Sequence, residues 1–385
     1  MSGNFHRVPM GEVATFKTGK LDSNAAVENG AYPFFTCSRD TFRTNTYSFD
    51  DEVVLLAGNN ANGIYPLKYF KGKFDAYQRT YVIRPIDESR LDTRFLYFAL
   101  RPQLDHLRSV STGSATKFLT MGLLSDLELP LPNLPTQRKI AGILSAYDDL
   151  IENNLRRIKI LEEMAQSLYR EWFVHFRFPG HESAKFVDSS LGRIPVGWEV
   201  KKLEKLYRTS SGGTPSRKNL EYYESGTIDW VKTGELKDCF VLSSEEKITA
   251  QALSNSSAKL FPANTVLIAL YGATIGQLGI LSREAATNQA CCAILEMEQP
   301  FGRAFAYLTL LLRRDDIIGL RLGAAQQNIS QAVLRDFEVI CPPATLLEAF
   351  NQRTEPIFDL LLNLQRHNQT LRSTRDLLLP KLMKG

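Results

Sequence analysis

With 385 residues and a formal net charge of +4, the chain has room for two ordinary domains and carries no strongly basic signature that would by itself announce a nucleic-acid binder. Its five cysteines, Cys37, Cys239, Cys291, Cys292 and Cys341, are odd in number and show no CxxC spacing, which argues against a disulfide framework or a zinc site and for a reducing compartment. No run approaches the ~18 apolar residues of a membrane span and Met1 to Lys20 has no signal-like apolar core, so a cytoplasmic protein without a membrane partner is expected.

In chain order, residues 1–134 read as a first α+β part. Val53-Val54-Leu55-Leu56 and Thr80-Tyr81-Val82-Ile83 are short, β-branched or apolar runs bounded by turn residues, as strands are, and Phe95 to Leu107 has helical spacing. After Leu131-Pro132-Asn133-Leu134-Pro135 comes a heptad stripe: Ile140, Leu144, Tyr147, Ile151, Asn154, Ile158, Leu161, Ala165, Leu168 and Trp172. Steps alternating four and three make this a coiled-coil seam within residues 135–178. From Pro135 to Arg177 such a helix would run about 60 Å at 1.5 Å per residue.

Residues 179–343 read as a second α+β part, with strands at Thr265-Val266-Leu267-Ile268 and Ala290 to Leu295 and a helix from Phe305 to Leu312. After Cys341-Pro342-Pro343 a second stripe, in residues 344–385, carries Phe350, Ile357, Leu361, Leu364, Asn368, Leu371, Leu378 and Leu382, with Thr354 and Arg375 interrupting it. Opposing the seam asparagines Asn154 and Asn368 in an antiparallel pair brings Ile140 to Leu382, Leu161 to Leu361 and Leu168 to Thr354. A buried polar seam residue of this kind fixes register at some cost in stability; an asparagine turned to solvent is the plain alternative.

The two parts are copies. Gly19 answers to Gly212, and near the ends Gly113, Asp126, Glu128 and Pro132 answer to Gly323, Asp336, Glu338 and Pro342. The repeat predicts a pseudo-symmetric molecule in which the framework recurs and the loops do not.

Three segments carry a resemblance to a known family. Ser190-Leu191-Gly192-Arg193-Ile194-Pro195-Val196-Gly197-Trp198-Glu199, Leu129-Pro130-Leu131-Pro132 with Gln137-Arg138-Lys139-Ile140-Ala141, and Trp172-Phe173-Val174-His175-Phe176 resemble the domain lead-in, the helix junction and the helix end of type I restriction-modification specificity subunits. The C-terminal junction departs from that pattern, with Leu347-Glu348 where a Glu-Gln pair is common. The resemblance covers essentially the whole chain. It implies an α+β fold of two target-recognition domains, 1–134 and 179–343, separated by a central conserved helix, 135–178, and a C-terminal conserved helix, 344–385. On that resemblance the two long helices would form an antiparallel coiled coil in a pseudo-twofold symmetric arrangement.

The resemblance implies further that each domain reads one half of a bipartite double-stranded DNA target. The paired helices then set the spacer and dock two methyltransferase subunits, and restriction (nuclease-translocase) subunits join that core. This chain would hold no cofactor; S-adenosylmethionine, ATP and Mg are expected on the partners. Two fixed readers on a strut must contact half-sites at a set spacing.

Base edges are read by Arg or Lys on guanine and Asn or Gln on adenine, and phosphates by hydroxyls and amides. The first candidates are Lys17, Thr18 and Lys20, answered by Thr214, Ser216, Arg217 and Lys218. The second are Asn59, Asn60, Asn62, Tyr77, Gln78 and Arg79, answered by Tyr271, Thr274, Asn288 and Gln289. The third are Ser114, Thr116 and Lys117, answered by Gln326, Gln327 and Asn328. Solvated turns or a buried turn network account for any single member equally well, and a helix cap accounts for Asn328. With near-neutral domains, the isolated chain should bind DNA weakly and with a shallow salt dependence.

Catalysis is not expected of this chain. It has no Asn-Pro-Pro-aromatic motif, no glycine-rich cofactor loop and no GxxxxGK[ST] loop. Asp188 with Glu199-Val200-Lys201 has the residue types of a metal-dependent nuclease but falls within the lead-in segment, and the five histidines are scattered. A recognition module of a related methyltransferase or nuclease system, or a coiled-coil scaffold that binds no DNA, are the alternatives. The polar loops argue against the scaffold.

Overall fold

The computed structural model describes residues 5–60, 63–111, 117–297, 301–320 and 328–384. The chain forms two compact units, one of residues 1–152 with 370–385 and one of residues 153–369, so each unit holds part of both long helices.

The first unit is built on a six-stranded sheet in the order Ala14–Thr18, Thr80–Pro85, Phe49–Ala57, Leu67–Ala76, Tyr32–Phe35 and Phe42–Thr44. Only the pairing of Tyr32–Phe35 with Leu67–Ala76 is parallel. The run Val53 to Leu56 is apolar throughout because its strand is covered on both faces. Val54 and Leu56 join Tyr81 and Ile83 in the larger core, while Val53 and Leu55 join Phe35, Phe74 and Val82 in a smaller one. The helical stretch predicted over Phe95 to Leu107 is two helices, Thr93–Leu100 and Leu104–Val110, joined by a 3-10 turn at Arg101–Gln103. Pro102 in that turn has no N–H to continue the α ladder.

The second unit repeats this plan. Its five-stranded sheet runs Arg208–Ser211, Cys291–Leu295, Val266–Ala269, Leu278–Leu281 and Cys239–Val241, and again only the last pairing is parallel. This half also holds a four-stranded sheet of Lys247–Ile248, Ile228–Val231, Ala285–Thr287 and Leu260–Phe261. Each unit also closes its ends with a short antiparallel pair, Arg7–Pro9 on Glu128–Pro130 and Glu199–Lys202 on Glu338–Cys341.

The long helices are Leu134–Tyr169 and Ala344–Leu382. In the first unit Ile140 and Leu144 pack in one core with Leu379, Met383, Leu378 and Leu382. Arg375, which interrupts the apolar rhythm, forms an ion pair with Asp148 and keeps only 11% of its side chain exposed. In the second unit Asn154 Nδ2 donates to Asn368 Oδ1 at 2.9 Å, Leu161 and Leu361 share a core, and Trp172 lies 5.8 Å from Phe350 between ring centroids. Both sets of contacts are antiparallel and in the register that the asparagines predict.

The junctions explain two of the marker segments. Gln137, fully buried, donates from Nε2 to the carbonyls of Arg90 and Pro132 at 2.8 Å each, and its Oε1 accepts from the Asp92 amide at 2.9 Å. Leu347 holds the matching place in the second long helix, fourth from its start, and is buried in an apolar core. The first long helix leaves the α conformation before the predicted Arg177: Arg170–Val174 is a π-helical turn, closed by the His175 amide on the Arg170 carbonyl at 2.8 Å. The widened turn buries both Trp172 and Phe173, and Phe173 sits 4.7 Å from Phe350 and 5.8 Å from Trp198. Trp198 follows Gly197, whose φ of 88° only glycine adopts freely. Asp188 lies in the hairpin Phe186–Ser189 with Gly192–Pro195, and Lys201 pairs with Glu199 at 2.6 Å.

Candidate nucleic-acid interface

In the first unit the candidate residues meet around the turn Tyr77–Arg79. Gly19, at the end of strand Ala14–Thr18, passes so close to the chain that a Cβ there would lie 1.8 Å from the Ala76 carbonyl oxygen. The chain then bridges Leu21 to Tyr77, the Gln78 amide donates to the Leu21 carbonyl at 3.0 Å, and Gln78 Nε2 donates to Asp22 Oδ1 at 2.7 Å. On the other side the Gly58 amide donates to the Arg79 carbonyl at 2.7 Å, and Cys37 Sγ is 2.9 Å from Asn59 Oδ1.

Asn59–Asn60 pairs antiparallel with Lys117–Phe118, and the Arg79 guanidinium lies 5.4 Å from the Phe118 ring centre. Lys17 and Thr18 stand across from Val82 and Tyr81. Lys17, Lys20, Gln78 and Arg79 are exposed, and Thr18, Asn59, Asn60, Tyr77 and Lys117 half-buried. Residues far apart in sequence therefore form one polar, net basic surface.

The second unit assembles its own set by the same backbone route. A Cβ on Gly212 would lie 2.1 Å from the Thr287 carbonyl oxygen, and the Gly213 amide donates to that carbonyl at 2.9 Å. Thr214 Oγ1 bonds Gln289 Oε1. Asn288 is used structurally, its amide donating to the Val231 carbonyl at 3.0 Å and its Oδ1 accepting from the Cys291 amide at 3.2 Å. Burial pushes the Tyr271 phenol above its ordinary value, against a hydrogen bond with Gln289. The Ile329 amide donates to the Leu270 carbonyl at 2.8 Å, placing Asn328 next to this group, as the Leu119 amide on the Gly58 carbonyl, also 2.8 Å, places Lys117 in the first unit. Thr274 lies in the turn after strand Val266–Ala269, and Ser216 and Lys218 are exposed.

Asn328 is not a helix cap. Ser330 caps Gln331–Asp336, accepting from the Val333 amide at 3.1 Å, as Thr120 caps Met121–Ser125 in the first unit. Asn62, Ser114, Thr116, Gln326 and Gln327 lie outside the described residues.

Sequence reasoning missed several neighbours of these groups. Phe118, Asp22 and Cys37 are in the first surface. In the second, Arg217 lies 4.4 Å from the Tyr223 ring centre and 5.0 Å from that of Trp230. It also pairs with Glu246 at 2.5 Å, which Lys232 reaches at 2.8 Å. Hydrogen bonds from Arg217 and then Lys232 hold the Glu246 carboxyl down at about 2, so it stays ionised throughout the physiological range. Three aromatic residues, Tyr222, Tyr223 and Trp230, between Arg217 and Lys232 are the signal that could have found this group. Among the described residues no group of three or more His, Cys, Asp or Glu side chains could hold a metal ion, and no helix is long and apolar enough to cross a membrane.

The family model of the type I restriction modification DNA specificity domain matches residues 3–163 and 195–369. The MjaIX specificity subunit of Methanocaldococcus jannaschii is 27% identical over 297 residues, 76% of this chain and 68% of that subunit. The EcoDI specificity subunit of Escherichia coli is 34% identical over 218 residues, 52% of this chain and 48% of that one. In structure the chain is similar to the crystal structure of the type I restriction-modification S subunit from M. genitalium, with a TM-score of 0.70 at 17% identity over 100% of this chain and 97% of that one. Both family matches fall on the repeated halves described above, and the chain belongs to the type I restriction-modification DNA specificity family.

Proposed function

We propose that this chain, as the DNA-specificity subunit of a type I restriction-modification complex, reads a bipartite double-stranded DNA target, one half-site per unit. The carrying observation is that one backbone framework, with Gly19 and Gly212 at the same close approach, presents different polar sets: Gln78, Arg79, Asn59, Asn60 and Lys117 in one unit, Thr214, Arg217, Gln289 and Tyr271 in the other. Two unlike readers suit an asymmetric sequence. The subunit recognises and does not catalyse, and it works in assembly with other subunits. The partners we assign are two methyltransferase subunits on the paired helices and restriction subunits beyond them, with S-adenosylmethionine, ATP and Mg on those partners and the assembly in the cytoplasm. The seam supports a spacing role, since its register is fixed by a buried asparagine pair.

Methylome sequencing of cells carrying this chain with its methyltransferase partner tests the reading. A new methylated motif with two defined halves and a fixed unspecific spacer is the expected result. Active partners without any such motif would favour a scaffold.

A further inference from the structure

The loop Gly213–Arg217 is held more firmly than an exposed turn requires. Trp230 Nε1 donates to the Gly213 carbonyl at 3.0 Å, the Tyr223 hydroxyl donates to the Pro215 carbonyl at 2.7 Å, and Thr214 bonds Gln289 between them. A Cβ on Gly213 would lie 2.4 Å from the Ser257 backbone, so the chain has no freedom there. Arg217 then returns onto the same two rings that fix the loop, at 4.4 Å and 5.0 Å. Stacking on an aromatic face fixes the plane of a guanidinium, and a planar fork of donors is what recognises O6 and N7 of guanine.

The charge environment decides between a base edge and a phosphate. Glu246 accepts from Arg217 Nη1 and from Lys232 Nζ, so part of the charge that a phosphate would seek is already met by a carboxylate, while the Nε–Nη2 edge of the fork is left for a pair of acceptors. A neutral base edge depends on that edge and little on net charge. Among the described residues of the first unit, the loop after Gly19 is tied instead by a backbone bridge to Tyr77 and by Gln78 on Asp22.

We propose that Arg217 reads a guanine in the half-site taken by the second unit, and that Glu246 keeps this guanidinium from serving as a phosphate contact. The inference rests on the recognition function proposed above and adds the residue and the base.

The test uses the complete methyltransferase complex carrying wild type, R217K, R217A or E246Q. Its substrates are duplexes of the wild-type motif substituted one base pair at a time. R217K keeps the charge and loses the fork, so with R217A it should lose discrimination at one G·C pair of one half-site, by about 5- to 150-fold. Retained discrimination in the other half-site shows that a variant is folded, and R217K carries the test if R217A does not fold. E246Q should raise affinity for all duplexes and steepen the salt dependence by about one phosphate contact. Unaltered discrimination in R217K and R217A overturns the proposal, as does a loss of affinity uniform over all duplexes, which is the mark of a phosphate contact. A wild-type motif with no bipartite form would instead overturn the recognition function itself.

Discussion

The two units carry the same five strands in the same order, yet they hold their candidate reading loops in different ways. In the first unit main-chain contacts, Leu21 bridged to Tyr77 and Gly58 bonded to Arg79, are joined by single side-chain bonds such as Gln78 on Asp22. The second uses a side-chain cluster, in which Trp230, Tyr223 and Glu246 surround one arginine. What the copies share are constraints that no side chain can replace: a glycine where a Cβ would collide with a carbonyl, and a hydroxyl cap before a short helix. What they do not share is the chemistry displayed. Duplication followed by divergence therefore keeps the backbone and frees the surface.

The largest effect that would sharpen this comparison is expected at the aromatic core peculiar to the second unit. Phe173→Ala removes a ring packed on Phe350, Phe305 and Trp198 and should cost ~3–5 kcal/mol. Calorimetry should show one transition lowered and the other nearly unmoved. If both fall together, the units do not unfold independently and the comparison must be made on one cooperative body.

Next in size is the junction, where the two halves solve the same problem with opposite chemistry. Gln137→Leu strands the Asp92 amide and the Arg90 and Pro132 carbonyls and should cost ~1–3 kcal/mol, read from urea denaturation. Leu347→Met, a near-isosteric change in an apolar setting, should cost less than ~1.5 kcal/mol. Equal costs would mean that the buried amide bonds are not what anchors the first helix.

The smallest effect is chemical. Burial pushes the Cys292 thiol up to about 12 and that of Cys291 higher still, so neither should react with iodoacetamide at neutral pH until the protein unfolds. Cys37 is partly exposed beside Asn59 and Arg79 and should be alkylated in the native state. Bound target DNA should slow that reaction in the assembled complex, as mass spectrometry can follow. Alkylation of Cys37 at the same rate with and without DNA would move the reading surface of the first unit elsewhere.

The strand runs, both long helices and the asparagine pair were legible because each follows from a period or a spacing that burial enforces. Val53 to Leu56 is apolar on both faces of one strand, and Asn154 and Asn368 fall at seam positions of two stripes. The helix break at Pro102 was readable from the proline itself but was masked by the apolar spacing on either side. The π-helical turn at Arg170–Val174 was not legible, since it exists to seat Trp172 and Phe173 against residues distant in sequence. The same holds for the surfaces: residue type nominated Arg217 and Gln78, but only the fold shows that one lies against two rings and the other reaches Asp22.

The first unit is completed by residues 370–385, which follow the whole of the second unit in sequence and whose Leu379 and Met383 share a core with Ile140 and Leu144. During synthesis the order of completion is thereby inverted. Residues 153–369 have emerged in full before the final helical turns that the first unit needs. Until then the earlier-made unit lacks the apolar side chains of Leu379 and Met383 in its core, and an incompletely covered apolar surface is the kind that nascent-chain chaperones hold. Removal of residues 370–385 should thus injure the half of the protein made first.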